Sequence, residues 1–370
     1  MRVSRKTRDN PSRREFGLVF GALHAAGLSA MAQTTQQPPA PGPGSFPLPP
    51  LNPTGIRIGN GIGVDASYEQ LRTQARLGVE YASSGAATLQ DASRERLLAV
   101  RRKFESAGIR LFNFRVDELH NCVPIVLGTR DRDERIEMFK THLRNCGAAG
   151  IHYITYAHNA NITIPAYYQT GVAYTRGDVP TREFDAAAGA KLPLSHGRVY
   201  TADELWDTFT HFVRAVMPVA EEAGVRIGLH PDDPPMPMLG GIARLFINRE
   251  AYRRAIRIAN SKNFGLCLCV GTWAEGGAAT GASPIEMIRE FGPQGRLFKI
   301  HFRNVDGPLP KFKETLIEDG YVDMWAVMKA LREGGFNGSM VPDHSPGGLW
   351  QYTLGYLKAL RDRANAEVKS

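Results

Sequence analysis

From Gly55 onward the chain alternates between two hydrophobic rhythms. Short apolar, β-rich runs predict strands at Ile56–Ile62, Val79–Ser83, Ile109–Val116, Ile151–Ala157, Val225–His230, Phe264–Val270, Leu297–Phe302 and Ser339–Asp343. Between them, segments with helical periodicity predict helices over 67–77, 91–106, 132–148, 202–223, 248–260, 284–291, 323–334 and 349–364. Several of these end in a glycine just before the next strand, as at Gly108, Gly150 and Gly224, the residue that closes a helix in the left-handed region without a Cβ clash. Eight strands, each followed by a helix, predict a single-domain α/β fold, a (β/α)8 TIM barrel spanning residues 54–370. A doubly wound open sheet is the alternative. Gly59, Gly61 and Gly63 after the first strand are spaced GxGxG, however, which is no dinucleotide fingerprint. One long insertion, roughly 158–200, follows strand four and predicts a lid or substrate loop.

Composition changes this picture mainly at the N-terminus. With 370 residues, 43% of them hydrophobic and 22% charged, the chain can bury a large core without a disulfide framework. The net charge of +8 invites a nucleic-acid reading, but half of it lies in residues 1–32, which hold six basic and two acidic side chains. The rest of the chain has no basic run interleaved with aromatics, so a nucleic-acid partner is not expected. The same leader contains Ser12-Arg13-Arg14-Glu15-Phe16, an apolar stretch from Gly17 to Met31, and small residues at Ala30 and Ala32. That is the pattern of a twin-arginine signal peptide over 1–32, implying a periplasmic or secreted protein; a disordered basic terminus is the plainer alternative. The apolar stretch is too short for a membrane span. Residues 33–53 are a proline-rich linker.

Candidate chemistry sits at the strand ends, where barrels carry their active sites. His230, Cys269, His301 and Asp343 occupy the C-terminal ends of four consecutive strands. Taken singly, each has an ordinary structural explanation. Jointly, two imidazoles, a thiolate and a carboxylate are a ligand set for a borderline divalent ion such as Mn²⁺, Fe²⁺, Co²⁺ or Zn²⁺. Cys267 and Cys269 lie about 7 Å apart on one face of a strand, beyond disulfide reach, and Cys267 reads as a small core residue. A bridge between Cys122 and Cys146 stays open.

The strings around these residues resemble a known family. His230-Pro231-Asp232-Asp233-Pro234-Pro235, Gly265-Leu266-Cys267-Leu268-Cys269, His301-Phe302-Arg303-Asn304-Val305 and Pro342-Asp343-His344 occur in this order. Together they resemble the signature of the mannonate dehydratases, within the xylose-isomerase-like barrels, over about residues 108–345. The resemblance implies one divalent ion, Mn²⁺ or Fe²⁺, on His230, Cys269, His301 and Asp343, and dehydration of D-mannonate to 2-dehydro-3-deoxy-D-gluconate. It also implies His344 as the catalytic acid/base group, with a ligand-orienting role as the alternative. Arg303, Asn304, Asp232 and Glu314 are the expected substrate-binding residues, although Arg303 could instead pair with Asp232 or Asp233, and Glu314 could be a surface charge.

The chain also departs from the family pattern. The family's catalytic tyrosine after strand eight falls on Trp350, whose indole N–H cannot act as a base, with Tyr352 the nearest hydroxyl. Two further functions therefore stand beside the dehydratase: a sugar isomerase, epimerase or other sugar lyase on the same barrel, and a non-catalytic exported carbohydrate-binding protein. The expected partner is a small sugar acid, and the oligomeric state is open, a homo-oligomer included.

Overall fold

The structure, a computed structural model, describes Leu48 and residues 55–368. Residues 1–32, where a twin-arginine signal peptide is expected, and the proline-rich stretch 33–53 apart from Leu48 lie outside the described residues. Eight parallel strands form the barrel: β1 (Arg57–Gly61), β2 (Tyr81–Ala86), β3 (Arg110–Val116), β4 (Tyr153–Tyr156), β5 (Arg226–Leu229), β6 (Phe264–Cys269), β7 (Leu297–Phe302) and β8 (Ser339–Pro342). They are ordered β3-β2-β1-β8-β7-β6-β5-β4 around the ring. Between β3 and β4 the Thr155 amide donates to Asn113 Oδ1 at 3.1 Å, drawing the two ends of the sheet together.

A helix follows each strand: α1 (Tyr68–Arg76), α2 (Arg94–Ser106), α3 (Arg132–Ala148), α4 (Ala202–Glu222), α5 (Arg249–Ala259), α6 (Pro284–Phe291), α7 (Met324–Glu333) and α8 (Trp350–Glu367). Their starts are fixed by local chemistry. Ser67, Thr201 and Ser283 each accept a backbone N–H three residues on, while Gln70, Glu204 and Glu286 reach back to the cap. The inward stripes of neighbouring helices then interlock. Phe212 of α4 meets Phe139 of α3 edge-on at 5.0 Å, and Tyr156 of β4 stacks on the same Phe212 at 4.5 Å.

The insertion after β4 is more ordered than a plain loop. Gly171–Thr175 and Val179–Asp185 form an antiparallel hairpin, and Lys311–Lys313, from the segment after β7, adds a third strand. Phe184 stacks on Phe312 beneath this small sheet. All four cysteines are free and buried, so Cys122 and Cys146 are not bridged. No described helix is long and apolar enough to cross a membrane.

Candidate active site

Register sets the site. Cys269 on β6 pairs with His301 on β7, and His301 pairs with Val341 on β8, two residues before Asp343. His230 directly follows β5, where its own amide donates to Tyr156 O at 2.8 Å. The ligand atoms of His230, Cys269 and His301 consequently lie within 4.8 Å of one another. Asp343 Oδ2 stands 3.6 Å from both Cys269 Sγ and His301 Nδ1. Four groups distant in sequence face one point.

Their electrostatics match that arrangement. Burial, reinforced by neighbouring His301, pulls the His230 pKa down to about 3 and leaves a neutral imidazole. Burial likewise pulls His301 down, but the negative charges of Cys267 and Asp343 outweigh it and favour the protonated ring. Asp343 is held ionised, well below its usual range, because His344 and His301 overcome its burial. Burial raises the Cys269 thiol, and the Thr272 amide donates to its sulfur at 3.4 Å. Two imidazoles, a thiol and a carboxylate around one point are donors that a borderline divalent cation accepts, with the thiol losing its proton on binding.

His344 sits beside the cluster with φ at +47°, a left-handed conformation that non-glycine residues adopt uncommonly. Its Nδ1 donates to Glu314 Oε1 at 2.8 Å, and its Nε2 lies 3.5 Å from Asp343 Oδ1. Burial lowers its pKa, but the two carboxylates prevail and hold the imidazolium above its usual range. The Tyr168 hydroxyl comes within 2.8 and 2.9 Å of the two ring nitrogens. Tyr168 comes from the insertion and lines the cavity. Arg182, on the same insertion, lies over its ring at 3.9 Å and donates to its carbonyl at 3.0 Å. Trp350 and Tyr352, by contrast, are exposed at the start of α8, where Tyr352 bonds to Glu318.

The cavity holds about 820 Å³ and draws its lining from both halves of the ring. His230, His301, Asp343 and His344 belong to the second half; Ser84, Asn113, Arg115 and His120 belong to the first. None of the four expected substrate-binding residues reaches this surface. Arg303 is buried and bonded on every side, to Asp343 at 3.0 Å, Glu275 at 2.5 Å and Asp233 at 2.6 Å. Glu314 lies underneath His344, shared with Arg182 at 3.0 Å. Asp232 accepts the Phe246 amide at 2.8 Å. Asn304 is fully buried and spends its amide on the Ile317 and Val322 carbonyls. These residues shape the rim and the support of the site instead of its surface.

Tyr168 and Lys299 are among the cavity residues that sequence reasoning missed, as are Ser84, Asn113, Arg115 and His120. Lys299 had a signal: it lies two positions before His301 on an apolar strand and therefore shares its face. Tyr168 had none, since nothing in the insertion's pattern aims it at β8.

Comparison with known proteins agrees with this geometry. The sequence model of the D-mannonate dehydratase (UxuA) family matches residues 169–368. Mannonate dehydratase 2 of Halalkalibacterium halodurans is 31% identical over 303 residues, covering 72% of this chain and 86% of that protein. The chain belongs to the mannonate dehydratase family. A mannonate dehydratase of Streptococcus agalactiae is 30% identical over 307 residues, with 72% of this chain and 86% of that protein covered. The crystal structure of a mannonate dehydratase from Streptococcus suis superposes with a TM-score of 0.72 at 26% identity, covering 85% of this chain and 97% of that one. A xylose isomerase domain protein from Planctomyces limnophilus, at TM-score 0.57 and 16% identity, covers 84% of this chain and 99% of that one and shares the fold alone. In this chain the hydroxyl on His344 belongs to Tyr168, from the insertion after β4.

Proposed function

We propose that this mannonate dehydratase family member removes water from a sugar acid, D-mannonate first, giving 2-dehydro-3-deoxy-D-gluconate. Net, C2 loses its hydrogen, the C3–O bond breaks with the oxygen leaving as water, and the resulting enol tautomerises to the 2-keto acid. His230, Cys269, His301 and Asp343 would hold one divalent ion, Mn²⁺ or Fe²⁺, which when bound supplies Lewis-acid polarisation of substrate oxygens.

The chain's own groups account for the proton on the leaving hydroxyl. His344 faces the cavity as an imidazolium, anchored by Glu314 from behind and bonded to Tyr168 in front. Such a group hands a proton to the departing C3 oxygen. The insertion over it narrows access for water. The observation carrying this reading is the convergence of His230, Cys269, His301 and Asp343 next to that imidazolium. The arginine pair in the leader supports export through the twin-arginine route as the place where the enzyme works.

The test is a panel of aldonic acids offered to the full chain loaded with Mn²⁺, read by metal analysis and by a colour assay for keto-deoxy acids. D-mannonate is expected to give product that a chelator abolishes. Cys269→Ala and His301→Ala are expected to lose both bound metal and product. Bound metal with no product from any acid in the panel overturns the dehydratase reading.

A further inference from the structure

Below the four converging groups the barrel interior holds a lysine that makes no hydrogen bond or ion pair among the described residues. Side chains on β7 alternate, so Lys299 points into the barrel on the same face as His301, one layer deeper. Register places it level with Cys267 on β6 and Ser339 on β8. Barrel interiors are ordinarily filled by branched apolar side chains at this depth. Lys299 is only 5% exposed, and it lines the cavity.

The buried arginines nearby are saturated. Arg182 and Arg303 share Asp233, Glu275 and Glu314 between them. Among the described residues, no ion pair or hydrogen bond takes up the Lys299 ammonium. The Asp343 carboxylate above it is already committed to Arg303, His301 and His344. A buried lysine amine without a hydrogen-bonding partner is costly, and its place in a cavity wall calls for a polar or charged group that arrives from outside. The wall across from it adds the same kind of demand. Ser84 Oγ, His120 Nδ1 and Asn159 Nδ2, on cavity-lining residues of the first half-barrel, have no hydrogen-bonding partner within the protein.

We infer that Lys299 is the anchor for the substrate's carboxylate, with the polar wall of Ser84, His120 and Asn159 taking its hydroxyls. The assignment rests on the cavity being a sugar-acid site, and it gives to Lys299 the role that the buried, fully bonded Arg303 cannot perform. It also has a kinetic consequence. Removing the C2 proton pushes charge onto the adjacent carboxylate, so an ammonium fixed there favours the transition state over the ground state. Lys299 then contributes to kcat as well as to KM.

The experiment compares D-mannonate with D-mannitol, which replaces the carboxylate by a hydroxymethyl group, by calorimetry on the full chain and on Lys299→Met and Lys299→Arg. Wild type is expected to prefer the acid. Lys299→Met is expected to bind D-mannonate roughly ten- to a hundredfold more weakly, the range of a charge-assisted hydrogen bond, with D-mannitol unchanged. Lys299→Arg keeps part of the preference, and metal content stays that of wild type in both variants. A folded Lys299→Met that binds D-mannonate within about twofold of wild type overturns the assignment, and so does a wild type with no preference for the acid, a measurement that needs no variant to fold. A wild type that prefers the acid through Lys299 yet forms no keto-deoxy product sinks the dehydratase reading and leaves the anchor standing. Dehydration with kcat and KM untouched in Lys299→Met does the reverse.

Discussion

A tyrosine hydroxyl and an imidazole in contact beside a cluster of metal-ligand side chains make the decisive pair at the scale of single residues. Tyr168→Phe keeps the ring under Arg182 and removes only the hydroxyl that faces His344. The expected result is a fall in kcat of about a hundredfold with little change in KM, measured by steady-state kinetics on D-mannonate. An unchanged kcat would reduce Tyr168 to a packing element. The same scale shows where sequence reading works. His230, Cys269, His301 and Asp343 were legible because strand ends follow from the apolar pattern, and strand ends fix direction. Arg303 and Asn304, one and two residues beyond β7, are expected on substrate from the family resemblance alone. Once the strand ends, however, alternation no longer dictates where a side chain points. Arg303 turned into a carboxylate cluster, and Asn304 turned into the backbone of the segment that follows. Tyr168 was illegible for the complementary reason: its position depends on a pairing between segments more than a hundred residues apart.

Elements were read more accurately than side chains. α3 runs over the predicted 132–148, and β3 begins one residue later than expected. Long periodic segments carry their own evidence, while the insertion's short strands carry little. What seats that hairpin is Arg182, whose guanidinium reaches Asp233, Glu275 and Glu314 at once, in full burial. Arg182→Met would leave those carboxylates to Arg303 and, for Glu314, to His344. Breaking a buried ionic group in this way costs about 3–5 kcal/mol, so urea unfolding should show a loss of that order. Turnover should fall with it, since Tyr168 is held through the same arginine. Stability within about 1 kcal/mol of wild type would mean that the hairpin is seated by Phe184 and Phe312 packing instead.

The charge cluster also has a consequence for the whole molecule. Asp233, Glu275, Glu314 and Asp343 pack around Arg182, Arg303 and the His301 and His344 rings. Full burial pushes the Glu275 carboxyl up to about 8 even though Arg303 and Arg182 pull the other way. Its usual value is 4.5. Below that value both folded and unfolded chains carry the proton and the group is neutral in its effect. Between it and about 8 the unfolded chain ionises while the folded one resists, so stability declines as pH rises, and the full penalty is present above that range. Thermal unfolding from about pH 6 to about pH 9 should show wild type losing Tm that Glu275→Gln retains. Parallel curves for the two proteins would exclude Glu275 as the proton holder.

The two-sided lining of the cavity has an evolutionary corollary. His230, His301, Asp343, His344 and Tyr168 come from β5 to β8 and the insertion, whereas Ser84, Asn113, Arg115 and His120 come from the opposite arc. Because Ser84, Asn113, Arg115 and His120 reach the cavity from strands that carry none of the four converging groups, mutation there can retune fit while those groups stay in place. A lineage built this way can exchange one nutrient for another through a handful of changes near β2 and β3, while its turnover machinery is inherited intact.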